Sequence, residues 1–210
     1  MTSQAKPETE NPTLTDHLRA RFAWLVQPIA AFMIRRGIGP NLVTIAGLIG
    51  TIIGSFFLSQ GRFTVGALII GFTSFFDAID GTMARLLGEP QNFGAFVDSV
   101  SDRYSELIIF AALLWYSIGI QDNVLTMAVY FAAFGSVLVS YTRARAQSLE
   151  MEAKIGWFSR VERIAVLGLA LLFGFVLEGV LIVAVGANIT ALQRVIHVRR
   201  QAHAHQSYRR

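Results

Sequence analysis

The chain has 210 residues, of which 53% are hydrophobic and 15% charged, with a net charge of +4 and no cysteine. Soluble domains carry roughly a quarter charged residues, so the composition indicates a membrane protein. The lack of cysteine excludes disulfides and thiolate metal sites. Sixteen of the eighteen basic residues are Arg, whose planar fork suits phosphate better than the point charge of Lys. These residues lie between apolar runs and not along one solvated stripe, which argues against nucleic acid as a partner.

Residues 1–12 are polar and expected to be disordered. They hold no apolar stretch followed by a small-residue cleavage site, so no signal peptide is expected. Residues 13–36 read "TLTDHLRARFAWLVQPIAAFMIRR", with Leu18, Phe22, Leu25, Val26, Ile29, Phe32 and Met33 at helical spacing. The uncharged part, 22–34, is too short to span a bilayer. An interfacial amphipathic helix kinked at Pro28 is predicted there. Gly37, Gly39 and Pro40 then break it.

The rest reads as an all-α integral membrane domain over 37–200, with a basic tail at 201–210. Residues 37–61 carry no charge, long enough to cross about 30 Å of hydrocarbon as a helix. Six transmembrane helices are predicted, near 41–61, 63–88, 93–118, 123–146, 160–176 and 179–199. Several uncharged windows fall short of the roughly 20 residues a span needs, so those helices borrow polar neighbours.

Basic residues set the orientation. The turns near Gly61, Gln121 and Glu178 carry only Arg62, whereas Arg35, Arg36, Arg143, Arg145, Lys154, Arg160, Arg163, Arg194, Arg199 and Arg200 gather at the other ends. The expectation is a multi-pass cell-membrane protein with both termini and the active site facing the cytoplasm. Acids from two helices and arginines from three others would then share one cytoplasmic cavity.

The acids are the unusual feature. Asp77 and Asp80 are three apart, and Asp98 and Asp102 four apart. On helices each pair occupies one face. Four bare carboxylates at close quarters would repel and protonate. Divalent cations remove that conflict, and oxygen donors without His or Cys favour a hard ion, magnesium or manganese. Four carboxylates could hold two such ions, a geometry that serves phosphoryl chemistry. Gly81 and Gly94 could let a ligand or a neighbouring helix approach the backbone. Intramembrane acids also mark ion-coupled transporters. A transporter would spread polar groups along a path and often shows inverted repeats; here the charges crowd one side and no repeat is visible.

The motif D-x2-D-G-x2-A-R-x8-G-x3-D-x3-D is met at Asp77, Asp80, Gly81, Ala84, Arg85, Gly94, Asp98 and Asp102. It resembles the signature of the CDP-alcohol phosphotransferases, also called the CDP-alcohol phosphatidyltransferases. The six-span hydropathy and the N-terminal helix also look like this family. The resemblance implies transfer of a phosphoalcohol group from a CDP-linked lipid to an alcohol acceptor, with release of CMP. It implies that Asp77, Asp80 and Asp98 are metal ligands, with Asp77 and Asp98 bridging two Mg2+ ions. Asp102 would bind the second ion and act as general base. Gly81, Ala84 and Arg85 would contact the donor nucleotide, with Asn41 and Thr44 of "PNLVT" helping to hold it. Relatives form homodimers, so a homodimer among membrane lipids is expected.

For the acceptor, Ser140, Arg143 and Arg145 end the fourth span, Arg160 and Arg163 begin the fifth, and Arg194 ends the sixth. Arg at cytoplasmic span ends also follows from the positive-inside rule. Glu162 could pair with one of these arginines. A basic pocket beside the metal site suits a phosphorylated alcohol. The arrangement resembles the phosphatidylinositol phosphate synthases of the family, implying inositol 1-phosphate as acceptor. Glycerol 3-phosphate, serine or free inositol are the alternatives, and an isoprenoid donor leaves little trace in a sequence.

Overall fold

A computed structural model describes residues 14–88 and 91–207, with side chains described for these except 14–23, 77, 91, 92, 95 and 205–207. Among the described residues the chain is helical, without strands: α1 (Leu14–Arg35), α2 (Pro40–Ser59), α3 (Phe63–Leu87), α4 (Gln91–Gly119), α5 (Asn123–Gln147), α6 (Arg160–Phe173) and α7 (Val176–Ser207). The ends follow local chemistry. Pro40 opens α2, where its missing N–H is no loss. Asp122 caps α5 by accepting from the Leu125 N–H at 2.9 Å. Gly88 and Gly174 end α3 and α6 in left-handed conformations, with φ of 62° and 81°.

Round the bundle the neighbours run α2, α3, α6, α7, α5 and α4, which closes on α2. The core between them holds Leu58, Leu113, Val129, Val180 and Val183. Helix α2 is inverted relative to a soluble helix. It buries Thr44, Gly47, Gly50, Thr51, Gly54 and Ser55 and exposes Ile45, Ile49, Ile52, Ile53 and Phe56. Lipid supplies no drive to hide aliphatic side chains, so close contact between small residues holds such helices together. A Cβ at Gly66 of α3 would lie 2.7 Å from the Gly54 carbonyl oxygen. The buried hydroxyls of Thr51 and Thr73 return to their own helices, to the carbonyls of Gly47 and Ile70 at 3.1 Å.

Four helices are long and apolar enough to cross a membrane: α2, α3, α5 and α7. Helix α4 has the length but carries Asp98, Asp102, Arg103 and Glu106 in its first half. Helix α6 has 14 residues, about 21 Å at 1.5 Å per residue, because Gly174 stops it earlier than the span expected to 176. Helix α7 runs on to Ser207, so the first part of the basic tail is helical. Residues 1–12, expected to be disordered, lie outside the described residues.

Two features position the site. Val26 and Ala30 of α1 pack with Val43 of α2 and with Ile79 and Met83 of α3, on either side of Asp80. Helix α1 is thereby seated on the acid motif, while Trp24, Leu25 and Phe32 face outward. The second feature is the connection 148–159, which lies against α7. Glu152 exchanges two hydrogen bonds with Gln201, and the Phe158 N–H donates to Thr190 Oγ1 at 3.1 Å.

Candidate active site

Helix α3 brings Asp80 into the interior, where it is 4% exposed. Thr44 Oγ1 donates to Asp80 Oδ2 at 2.5 Å, tying the first turn of α2 to the acid motif. Asp77 lies in α3, but its side chain is outside the described residues. On α4, Asp98 is exposed and Asp102 half-buried. Asp102 Oδ1 pairs with Arg160 Nη2 at 2.5 Å, across from α4 to α6. Among the described residues no group of three His, Cys, Asp or Glu side chains is close enough to hold a metal ion.

One turn beyond Asp102, Glu106 continues the same face of α4. It is buried and meets Arg163, which is 2% exposed. Arg163 Nε donates to Glu106 Oε1 at 2.8 Å and Nη2 to Oε2 at 3.1 Å, a bidentate pair. Arg163 Nη1 also donates to the Phe158 carbonyl at 3.3 Å. Arg194 on α7 donates through Nε to the Ile155 carbonyl at 2.9 Å and through Nη1 to the Val139 carbonyl. Thus Arg163 and Arg194, expected on sequence to grip a phosphate, each give one hydrogen bond to the 148–159 connection, and their other described bonds go to Glu106 on α4 and Val139 on α5. Arg103, Arg143 and Arg163 all act electrostatically on Arg194, so these four cations form one region of positive charge.

The other expected residues divide. Ser140 Oγ donates to the Ser136 carbonyl at 3.2 Å within α5, and Arg145 Nη1 to Ser148 Oγ at 3.3 Å; their described bonds are local. Glu162 accepts from Ser159 Oγ at the start of α6, so its described partner is a hydroxyl and not an arginine. Asn41 and Arg85 are exposed, and Arg85 Nη2 donates to Thr82 Oγ1 at 2.9 Å. Among the described residues, a Cβ on Gly81 or Gly94 would meet nothing within 4 Å. Close helix contact within the chain therefore accounts for Gly54 and Gly66 but not for these two motif glycines.

A cavity of about 460 Å³ lies between α2, α3, α4 and α6. Its lining is mostly apolar, Ile70, Ile109, Phe110, Leu167 and Leu171 among it, and Asp102, Glu106, Arg160 and Arg163 are its charged residues. An apolar chamber ending at two carboxylates and two arginines can take an amphiphile with a charged head. Sequence reasoning passed over Glu106 and Arg103. Four-residue spacing from Asp98 through Asp102 was the available signal for Glu106; Arg103 gave none beyond its charge.

The sequence pattern of the CDP-alcohol phosphatidyltransferase family matches residues 38–197. A phosphatidylinositol phosphate synthase of Streptomyces avermitilis is 38% identical, the match covering 94% of this chain and 87% of the relative. The crystal structure of the Mycobacterium tuberculosis phosphatidylinositol phosphate synthase with CDP-DAG bound superposes with a TM-score of 0.79 at 30% identity, over 82% of this chain and 92% of that one. The same enzyme in complex with manganese and citrate gives a TM-score of 0.77 at 31% identity, over 82% and 88%. With its acid motif on α3 and α4, a charged end to the apolar cavity, and likeness along most of its length, the chain belongs to the CDP-alcohol phosphatidyltransferase family and is an enzyme of that class.

Proposed function

We propose that the chain transfers the phosphatidyl group of CDP-diacylglycerol to inositol 1-phosphate, forming phosphatidylinositol phosphate and releasing CMP. The observation that carries this reading is the placement of Asp102 at the charged end of an apolar cavity, next to a cluster of arginines. The cavity suits the lipid part of the donor, and the arginines suit a phosphorylated acceptor. The names of the relatives favour the same pair of substrates.

The acids fit hard divalent cations by donor chemistry, since every candidate ligand is a carboxylate. Asp77, Asp80, Asp98 and Asp102 would hold two magnesium ions, or manganese in their place, and such ions neutralise a diphosphate and its departing charge. Asp102 would exchange its Arg160 partner to serve there, and Thr44 orients the Asp80 carboxylate. Asp102 takes the proton of the acceptor hydroxyl. The hydroxyl oxygen bonds to the phosphatidyl phosphorus while the bond from that phosphorus to the CMP oxygen breaks. Gly81 and Ala84, with Arg85, Asn41 and Thr44, hold the nucleotide; the open space beside Gly81 suits such an approach. Arg143 and Arg160 face the acceptor, with Ser140 and Arg145 at the edge of that region, and Arg163 and Arg194 shape it.

In this reading α2 to α7 all cross the cell membrane. Helix α1 lies along the cytoplasmic interface, with Trp24 and Phe32 outward to lipid. The active site and both termini face the cytoplasm, and the enzyme works as a homodimer. The test is purified protein with CDP-diacylglycerol, magnesium and a panel of inositol 1-phosphate, glycerol 3-phosphate, serine and inositol. CMP release fastest with inositol 1-phosphate, and stopped by chelator, is the expected result. A different preferred alcohol overturns the acceptor, and no CMP with any alcohol overturns the donor reading.

A further inference from the structure

Arg103 stands beside the proposed base, within ion-pair distance of both neighbouring acids but hydrogen-bonded to neither. Its Nη2 is 3.8 Å from Asp102 Oδ2, and its Nη1 is 3.8 Å from Glu106 Oε2. Both distances exceed hydrogen-bond length. Its Nε is buried without a hydrogen-bond partner, which native structures seldom tolerate without a reason. The nearby acids are engaged elsewhere: Glu106 holds Arg163 through both oxygens, and Asp102 meets Arg160. Arg163 and Arg194 are themselves anchored on the carbonyls of Phe158, Ile155 and Val139.

Charge points the same way. The charges of Arg160 and Arg163 bear on Arg103 along with those of Asp102 and Glu106, and the charge of Arg103 in turn bears on Arg194. Cations outnumber carboxylates here, and a phosphate monoester with close to two negative charges answers the excess. The Nη1 and Nη2 groups of Arg103, hydrogen-bonded to neither acid, have N–H donors to offer such a group. One residue from Asp102 on the same helix, it would also fix how far the phosphate sits from the base.

We propose that Arg103 binds the phosphate of the acceptor alcohol and so holds its hydroxyl against Asp102, with Arg163 and Arg194 as the framework behind it. This rests on the reading of the acceptor as a phosphorylated alcohol. The alternative role, plain neutralisation of Asp102 and Glu106, would affect both substrates alike.

The experiment is steady-state CMP release by the purified wild type, Arg103→Gln and Arg103→Lys in detergent, varying each substrate in turn, with thermal melts as a check on folding. Loss of a charge-assisted phosphate contact should raise the KM for inositol 1-phosphate roughly ten- to a hundredfold in Arg103→Gln. The KM for CDP-diacylglycerol should stay within about twofold, and Arg103→Lys should recover part of the loss, since it keeps charge without the fork. Equal rises in both KM values, or no rise in either, overturn the assignment. If Arg103→Gln fails to fold, Arg103→Lys decides by the same split. Should the wild type prefer glycerol 3-phosphate, the inositol reading falls and the split measured with glycerol 3-phosphate still decides Arg103. A wild type that uses only unphosphorylated alcohols overturns both.

Discussion

Glu106→Leu removes one half of the buried pair and leaves the Arg163 guanidinium without its carboxylate. The two hydrogen bonds, at 2.8 Å and 3.1 Å, both join charged groups. Bonds of that kind contribute about 1.5–3 kcal/mol each, so about 3–6 kcal/mol together. Breaking a buried ion pair from one side costs about 3–5 kcal/mol, which overlaps that range. About 4 kcal/mol is therefore expected, and at about 2–4 °C per kcal/mol for a chain of this size the melting temperature should fall by about 8–16 °C. The assay is thermal unfolding of detergent-purified protein, followed by intrinsic fluorescence. The double variant Glu106→Leu/Arg163→Met should melt well above the single variant, because removing both charges abolishes the uncompensated cation. Its recovery should be partial, since the Phe158 carbonyl loses the Arg163 bond. A single variant melting within about 2 °C of wild type would refute the reasoning, as would a double variant that melts no higher than the single one.

Asp102→Asn should abolish CMP release while CDP-diacylglycerol binding, read by calorimetry, survives; an active variant would remove Asp102 from the role of base. The glycines give a paired test. Gly66→Ala should lower the melting temperature by the equivalent of about 1–3 kcal/mol, because its Cβ meets a backbone oxygen. Gly81→Ala should leave the melt nearly unchanged yet weaken donor binding, and a loss of stability there would show instead that tight helix contact requires that glycine. Arg194→Ala should speed hydrogen exchange in residues 148–159, since it removes the bond to the Ile155 carbonyl; unchanged exchange in that segment would deny Arg194 its anchoring role.

The full motif from Asp77 to Asp102, with Gly81, Ala84, Arg85 and Gly94 at fixed spacing, made the resemblance to the family legible before any fold was known, whereas helical periodicity by itself gave only the expectation that each acid pair shares a face. Hydropathy located the helices for a similar reason, since membrane crossing is a property of each segment's own length and polarity. Details at helix ends were less legible. The early stop of α6 turns on Gly174 adopting a left-handed conformation, which a glycine permits but does not demand. Helical continuation of α7 to Ser207, into the first part of the basic tail, was invisible to a reading based on charge.

The amino-acid sequence by itself determined the chemistry on offer: an acid motif, a surplus of arginine, and apolar segments of membrane length. Only the tertiary structure decided how the arginines divide. Their charges look alike along the chain, but Arg163 meets Glu106 from another helix, Arg194 meets carbonyls of α5 and the 148–159 connection, and Arg103 is left facing the acids at 3.8 Å. The same holds for glycine, where Gly66 closes on a neighbouring backbone and Gly81 opens on space. Partners and clearances of this kind arise between segments far apart in sequence, and a local pattern carries no information about them until the helices are packed.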